Sequence, residues 1–309
     1  MIRMLRAHHF AGFASGPRLI VLGAVHGNET AGTRGIERVL AELDGGAWRV
    51  ERGSLTLVPV TNPLAYQQNT REGERNLNRR LLPTDVPRVY EDQIANTLCP
   101  WLAAHDVLLD LHSFRSPGQP FVMCGPANNR GKLEPFAHAA AEGRLAEHVG
   151  PPRIVDGWMS AYAQGALRRR ARGLLDADPS YGIGTTEYMR SQGGYGVTLE
   201  CGQHDDPAGP EVAYRAIRQA VALLKLAELP LALPATPLQR LTLVTVVDRE
   251  HENDRFAKTW TSFDALRAGD MIATRHDGTQ VHAEQDGHIV FPDPNATPGH
   301  EWFYLAATK

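Results

Sequence analysis

In the stretch Gly23-Ala24-Val25-His26-Gly27-Asn28-Glu29-Thr30, an imidazole and a carboxylate stand three residues apart, just after the apolar run Leu19–Leu22. A turn needs the glycines but not that pair. Where a buried strand hands over to a helix at the carboxyl edge of an α/β sheet, ligands commonly bind. There His26 and Glu29 can aim at one point, and imidazole plus carboxylate is a donor set that suits zinc. Read alone, the segment is equally well explained as helix capping by Asn28 or Thr30.

Two further apolar strands end in chemistry. Strand alternation in Leu108-Leu109-Asp110-Leu111-His112-Ser113 puts Asp110 and His112 on one face, opposite Leu111. His112 would complete a His-Glu-His set with one position open to water, with Asp110 as its outer partner; the competing reading is a satisfied core histidine. Glu200, in Thr198-Leu199-Glu200-Cys201-Gly202, closes an apolar strand where an unpaired carboxylate is costly to bury. Beside a metal and its water it is a sensible general base; the alternative is a buried ion pair with an arginine. Cys201 falls on the opposite face and reads as a small core residue. The segment Asn69–Leu81, NTREGERNLNRRL, holds Arg71, Asn78 and Arg79 in a polar loop, and guanidinium forks match carboxylates bidentately.

Taken together, HGNE, TREGERNLNR, DLHS and RSQGGYGVTLECG resemble, in order and spacing, the succinylglutamate desuccinylase/aspartoacylase family, zinc amidohydrolases related to the zinc carboxypeptidases. The resemblance runs from about residue 18 to the C-terminus. It implies His26, Glu29 and His112 as ligands of one Zn2+ per chain, and Glu200 as general acid/base. It further implies Arg71 as the group that polarises the scissile carbonyl, Asn78 and Arg79 as holders of the amino acid's α-carboxylate, and Arg190 as receiver of a second substrate carboxylate. Tyr304, in EWFYLA, is the candidate for the family's C-terminal substrate contact. The implied reaction is hydrolysis of an acidic N-acyl amino acid, of the N-acetylaspartate or N-succinylglutamate type, to a carboxylic acid and a free amino acid. One departure stands out: the family's Asp in DLNR is Asn76 here, which removes a charge expected to support Arg79.

The elements that must position these groups follow from periodicity. Up to about residue 230 strands alternate with helices: strands at LIVLGAV, GSLTLVPV, DVLLDLHS and GYGVTLECG, and helices at TAGTRGIERVLAEL, EDQIANTLCPWLAAH, EPFAHAAAEGRLAEHV and PEVAYRAIRQAVALLKLAEL. This predicts a zinc-carboxypeptidase-like α/β/α domain, residues 1–235, with a mixed, largely parallel sheet. After the proline-rich Pro230–Pro237 the pattern changes to short strands, which predicts a small all-β domain, residues 236–309, over the entrance to the active site. That cover separates the deacylase reading from its nearest rival, a zinc carboxypeptidase acting on short peptides. A scaffold that kept the metal and lost the chemistry is the third reading, and every expected position is filled.

Composition bounds the rest. The 309 residues carry a formal net charge of −3, with 42% hydrophobic and 22% charged residues, which gives no reason to expect a nucleic-acid or membrane partner. The partner implied is a small N-acyl amino acid; a homo-oligomer is compatible with the sequence. The triplet Arg168-Arg169-Arg170 reads as a solvated helix face. The first residues lack the apolar stretch of a secretory signal, and three scattered cysteines do not make a disulfide framework, so a cytoplasmic setting is expected.

Overall fold

The computed structural model describes residues 4–173 and 178–309. In chain order the elements of the first half are β1 (His8–Ala11), β2 (Ala14–Leu22), α1 (Ala31–Asp44), β3 (Arg52–Val58), α2 (Pro63–Gln68), α3 (Tyr90–Ala103), β4 (Val107–Phe114), β5 (Phe121–Met123), α4 (Ala139–His148) and β6 (Arg153–Asp156). They are followed by α5 (Trp158–Ala171), α6 (Thr185–Ser191), β7 (Tyr195–Gln203), α7 (Gly209–Leu223), β8 (Gln239–Asp248), β9 (Arg255–Phe256), β10 (Ala265–Leu266), β11 (Met271–Thr274), β12 (Gln280–His282), β13 (Gly287–Val290) and β14 (Glu301–Thr308).

The order of the large sheet is β1-β3-β2-β4-β7-β5-β6-β8-β14-β13-β10. Its centre, β3-β2-β4-β7, is parallel, and β5 runs antiparallel to β7. The fold is therefore the expected mixed α/β architecture. Strand period two sorts the core. Leu19, Val21, Leu109 and Leu111 pack with α1, α4 and α7 on one face, and Ile20, Leu22 and Leu108 pack with α3 and α6 on the other.

The C-terminal β region grows out of the same sheet. β8 pairs in parallel with β6, and β14 pairs with β8; only β9, β11 and β12 form a separate three-stranded sheet. Leu241, Val246, Val290 and Tyr304 share one apolar cluster with Phe114, Phe121 and Val155, so this core is continuous with the first part of the chain.

Two local expectations meet a different outcome. The helix expected from Glu134 begins only at Ala139. Glu134 precedes Pro135, whose ring disfavours helical backbone at the residue before it, and Phe136 instead bridges to Asn129. Arg168-Arg169-Arg170 does lie on a helix, α5, but Arg169 is buried and grips Asp248 of β8 through Nε and a terminal nitrogen at 3.1 and 2.6 Å.

Candidate functional site

The glycine turn after β2 is forced by close approach. A Cβ on Gly27 would sit 1.9 Å from the Ala65 carbonyl carbon at the start of α2, so only glycine fits. The turn presents His26 and Glu29, both buried, to the end of β4. There His112 lies on the same face as Asp110, as alternation predicts, with its Nε2 2.9 Å from Asp110 Oδ2. His112 and Glu200 are register partners on the adjacent parallel strands β4 and β7.

His26, Glu29 and His112 converge, with one donor atom from each all within 4.8 Å of one another. His26 Nδ1 lies 2.8 Å from Glu29 Oε1, and His112 Nδ1 lies 2.8 Å from Glu29 Oε2. Each ring turns its other nitrogen outward: His26 Nε2 to Asn76 Oδ1 at 3.1 Å, His112 Nε2 to Asp110. Asn76 Oδ1 also accepts the Asn78 backbone N–H at 2.9 Å, which fixes the amide's orientation. His26 Nε2–H is therefore the donor to it, and the His26 Nδ1 lone pair faces a carboxylate. A proton or a metal cation between the two satisfies that contact.

The electrostatics differ between the two rings. Burial, helped by Arg71, pushes the His26 imidazole down to about 4, so it is neutral, the form that ligates metals. Burial pushes the Glu29 carboxyl up, but the two imidazoles outweigh it and hold it well below the usual carboxylate range. Burial likewise opposes charge on His112, yet Asp110 and Glu29 draw positive charge to it and raise it well above its ordinary value. Two imidazoles and a carboxylate, each backed by an outer acceptor or donor, fit a divalent cation such as zinc.

Glu200 is buried, and its Oε2 has no hydrogen-bond partner among the described residues. Burial, reinforced by the Glu29 charge, pushes its carboxyl up to about 8; a cation at the trio acts in the opposite direction. Arg71 donates to Glu29 Oε1 at 3.0 Å.

These groups line one cavity of about 510 Å³ that also includes Asn78, Arg79, Arg190 and Tyr304, so all nine residues singled out in the sequence reach its wall. Asn78 Oδ1 accepts the Thr185 N–H. Arg79 is packed against the rings of Trp158 and Tyr162, and its one side-chain hydrogen bond among the described residues goes to the Asn78 carbonyl. Tyr304 is buried, and its hydroxyl has no partner among the described residues. Residues of the C-terminal β region, from Phe291 to Tyr304, contribute to the same wall.

Arg190 lines the cavity and is held by the protein on every side of its guanidinium. Its Nε donates to Glu142 at 2.9 Å; one terminal nitrogen donates to Glu134 at 2.7 Å and Glu187 at 3.2 Å; the other donates to Glu142 at 3.1 Å and the Gly196 carbonyl at 3.0 Å. A guanidinium has five N–H donors. All five are spent on the protein.

The Asn76 side chain meets His26, while its backbone carbonyl accepts the Arg79 N–H at 3.3 Å. The sequence reading missed Arg169, Asp248 and Glu301. Glu301 lines the cavity 3.7 Å from Arg79 and 3.6 Å from Arg169, and these two cations hold its carboxyl below the ordinary range against the effect of burial. Arg169 carries no separate sequence signal, because it stands between the exposed Arg168 and Arg170.

Residues 15–144 match the family model described as the succinylglutamate desuccinylase/aspartoacylase catalytic domain, a span that includes His26, Glu29, Arg71, Asn78, Arg79 and His112. Among solved structures, the chain is similar to a succinylglutamate desuccinylase/aspartoacylase from Rhodobacter sphaeroides (TM-score 0.74, 18% identity, covering 99% of this chain and 89% of that one). It is also similar to the product-bound ectoine utilization protein from Ruegeria pomeroyi (0.73, 19%, 98% and 88%) and to succinylglutamate desuccinylase from Vibrio cholerae (0.71, 18%, 99% and 92%). No curated protein matches by sequence. At these identities the structural likeness shows the fold.

Proposed function

We propose that this chain, whose residues 15–144 match the succinylglutamate desuccinylase/aspartoacylase catalytic domain, hydrolyses the amide bond of an N-acyl amino acid at a single zinc site held by His26, Glu29 and His112. The observation that carries this reading is the convergence of those three donors beside a buried carboxylate, Glu200, with an unpartnered oxygen. When bound, zinc supplies Lewis acidity and brings the pKa of water from 15.7 toward about 7.

The chain's own groups do the rest. Glu200 Oε2 takes the proton of the attacking water and returns it to the leaving amine nitrogen, as a general base and then acid. The Arg71 guanidinium stands beside Glu29 and stabilises charge developing on the acyl oxygen; one such donor is typically worth about 10²–10³ in rate. Arg79 meets the α-carboxylate, with Asn78 positioning it and the Tyr304 hydroxyl as a further donor. The β region from Phe291 to Tyr304 narrows access, which favours a small amide over a peptide.

The test offers the zinc-loaded protein an N-acetyl amino acid and a C-terminally free peptide side by side. Turnover of the acetyl compound is expected. Turnover of the peptide alone would overturn the reading in favour of a carboxypeptidase, and a purified chain that binds no zinc and hydrolyses neither would make it a non-enzyme.

A further inference from the structure

Resting on the deacylase reading above, we propose that the Arg190 end of the pocket excludes a second carboxylate, so that the substrates are N-acyl amino acids whose only free carboxylate is the α one. The wall there is formed by Met123, Cys124, Thr186, Glu187, Arg190 and Thr198. Its single cation is already surrounded. Glu142 is buried and clasps Arg190 through both oxygens; those oxygens also accept the Gly125 and Gly196 N–H groups, so they are locked in place. Glu134 and Glu187 take up one of the terminal nitrogens.

Three carboxylates thus outnumber one guanidinium, and the surplus is negative. An arriving carboxylate would find no free N–H and would lie against like charge in a poorly hydrated site, where such pairs are strongly unfavourable. The shortage of positive charge registers on Glu134 itself: burial, aided by Glu187 and Glu142, pushes its carboxyl up to about 7 despite Arg190.

Nor is Arg190 an arm that can swing out to greet a ligand. A Cβ on Gly125 would lie 2.5 Å from its Nε, so the backbone there is packed directly against the guanidinium, while Phe136 covers it with its ring 5.5 Å away. By contrast Arg79, on the wall of the same cavity, makes one side-chain hydrogen bond among the described residues, with Glu301 3.7 Å away and an unpartnered tyrosine hydroxyl in the same lining.

The experiment compares isosteric acid and amide pairs on the full zinc-loaded chain: N-acetylaspartate with N-acetylasparagine, and an N-succinyl amino acid with its N-succinamoyl counterpart. The two pairs cover either orientation of the substrate. Specificity constants are expected to favour the amide by about 10- to 100-fold in the pair whose variable group meets Arg190, and Glu134→Gln is expected to narrow that ratio by removing negative charge. Calorimetric binding of the same compounds is the second readout. An acid that binds or turns over better than its amide in either pair would overturn the inference, as would a ratio near one in both. Hydrolysis of none of the four compounds would reject the deacylase reading, and the binding order would still decide this one.

Discussion

Asn76 Oδ1 accepts the His26 Nε2–H at 3.1 Å while also holding the Asn78 backbone N–H at 2.9 Å, so one amide oxygen ties a histidine of the converging trio to the loop that carries Arg79. An amide suffices, because what the ring needs is an acceptor that selects the tautomer with Nδ1 free. Replacing that acceptor should loosen the metal before it disturbs the substrate. Asn76→Ala is expected to weaken zinc affinity by about 10- to 100-fold, read by competition with a chelating dye. Asn76→Asp should keep or tighten binding, since a carboxylate makes the imidazole a stronger donor.

Glu200 tests the chemistry separately from the metal. Glu200→Gln keeps the shape and removes the proton acceptor. Turnover is expected to fall by about 10²–10⁴, with zinc content unchanged by elemental analysis, because Glu200 is not one of the three converging donors. Loss of zinc together with activity would show Glu200 to be a ligand and not the base.

Much of this site was legible because each of its reacting groups ends an apolar strand or sits in a turn where nothing structural calls for it. Period two alone places Asp110 and His112 on one side of β4, and their 2.9 Å contact follows. What stayed hidden was who neutralises whom. Arg190 stands in the expected place, but Glu134 and Glu142 come from 56 and 48 residues earlier in the chain, and only the folded chain shows their grip on it. A local clue existed: Glu134 precedes proline, which disfavours helical backbone there, so it lies in the loop ahead of α4. Arg169 was hidden differently, in a triplet whose average character is solvated while its middle member faces Asp248. The junction near residue 236 reads as a change of pattern, yet β8 joins β6 through backbone hydrogen bonding, which side-chain periodicity does not report.

Tyr304 offers a test in which folding and binding part company. Its buried hydroxyl bonds to nothing among the described residues, so deleting it removes no protein hydrogen bond. Tyr304→Phe is expected to leave the melting temperature unchanged or slightly raised. If the hydroxyl donates to the substrate, KM should rise about 3- to 10-fold, in keeping with one net hydrogen bond of about 1 kcal/mol. A drop in melting temperature with unchanged KM would assign Tyr304 to packing alone.

The acidic surplus around Arg190 also predicts how stability changes with pH. Glu134 titrates near 7 in the folded chain because burial and its carboxylate neighbours resist its ionisation, against about 4.3 for an unfolded glutamate. Between those values the unfolded state has released a proton that the folded state retains. Raising the pH through that window therefore favours unfolding, and the loss is complete once the pH passes the folded value. Glu134→Gln abolishes this penalty while still offering Arg190 an amide oxygen. The melting temperature of Glu134→Gln, relative to the unsubstituted protein, should thus be higher at pH 8 than at pH 4, measured with zinc removed so that metal binding does not add its own pH dependence. A difference that is constant across the range, or that moves the other way, would mean that Glu134 is ionised throughout and that the ion pair with Arg190 outweighs the crowding of charge.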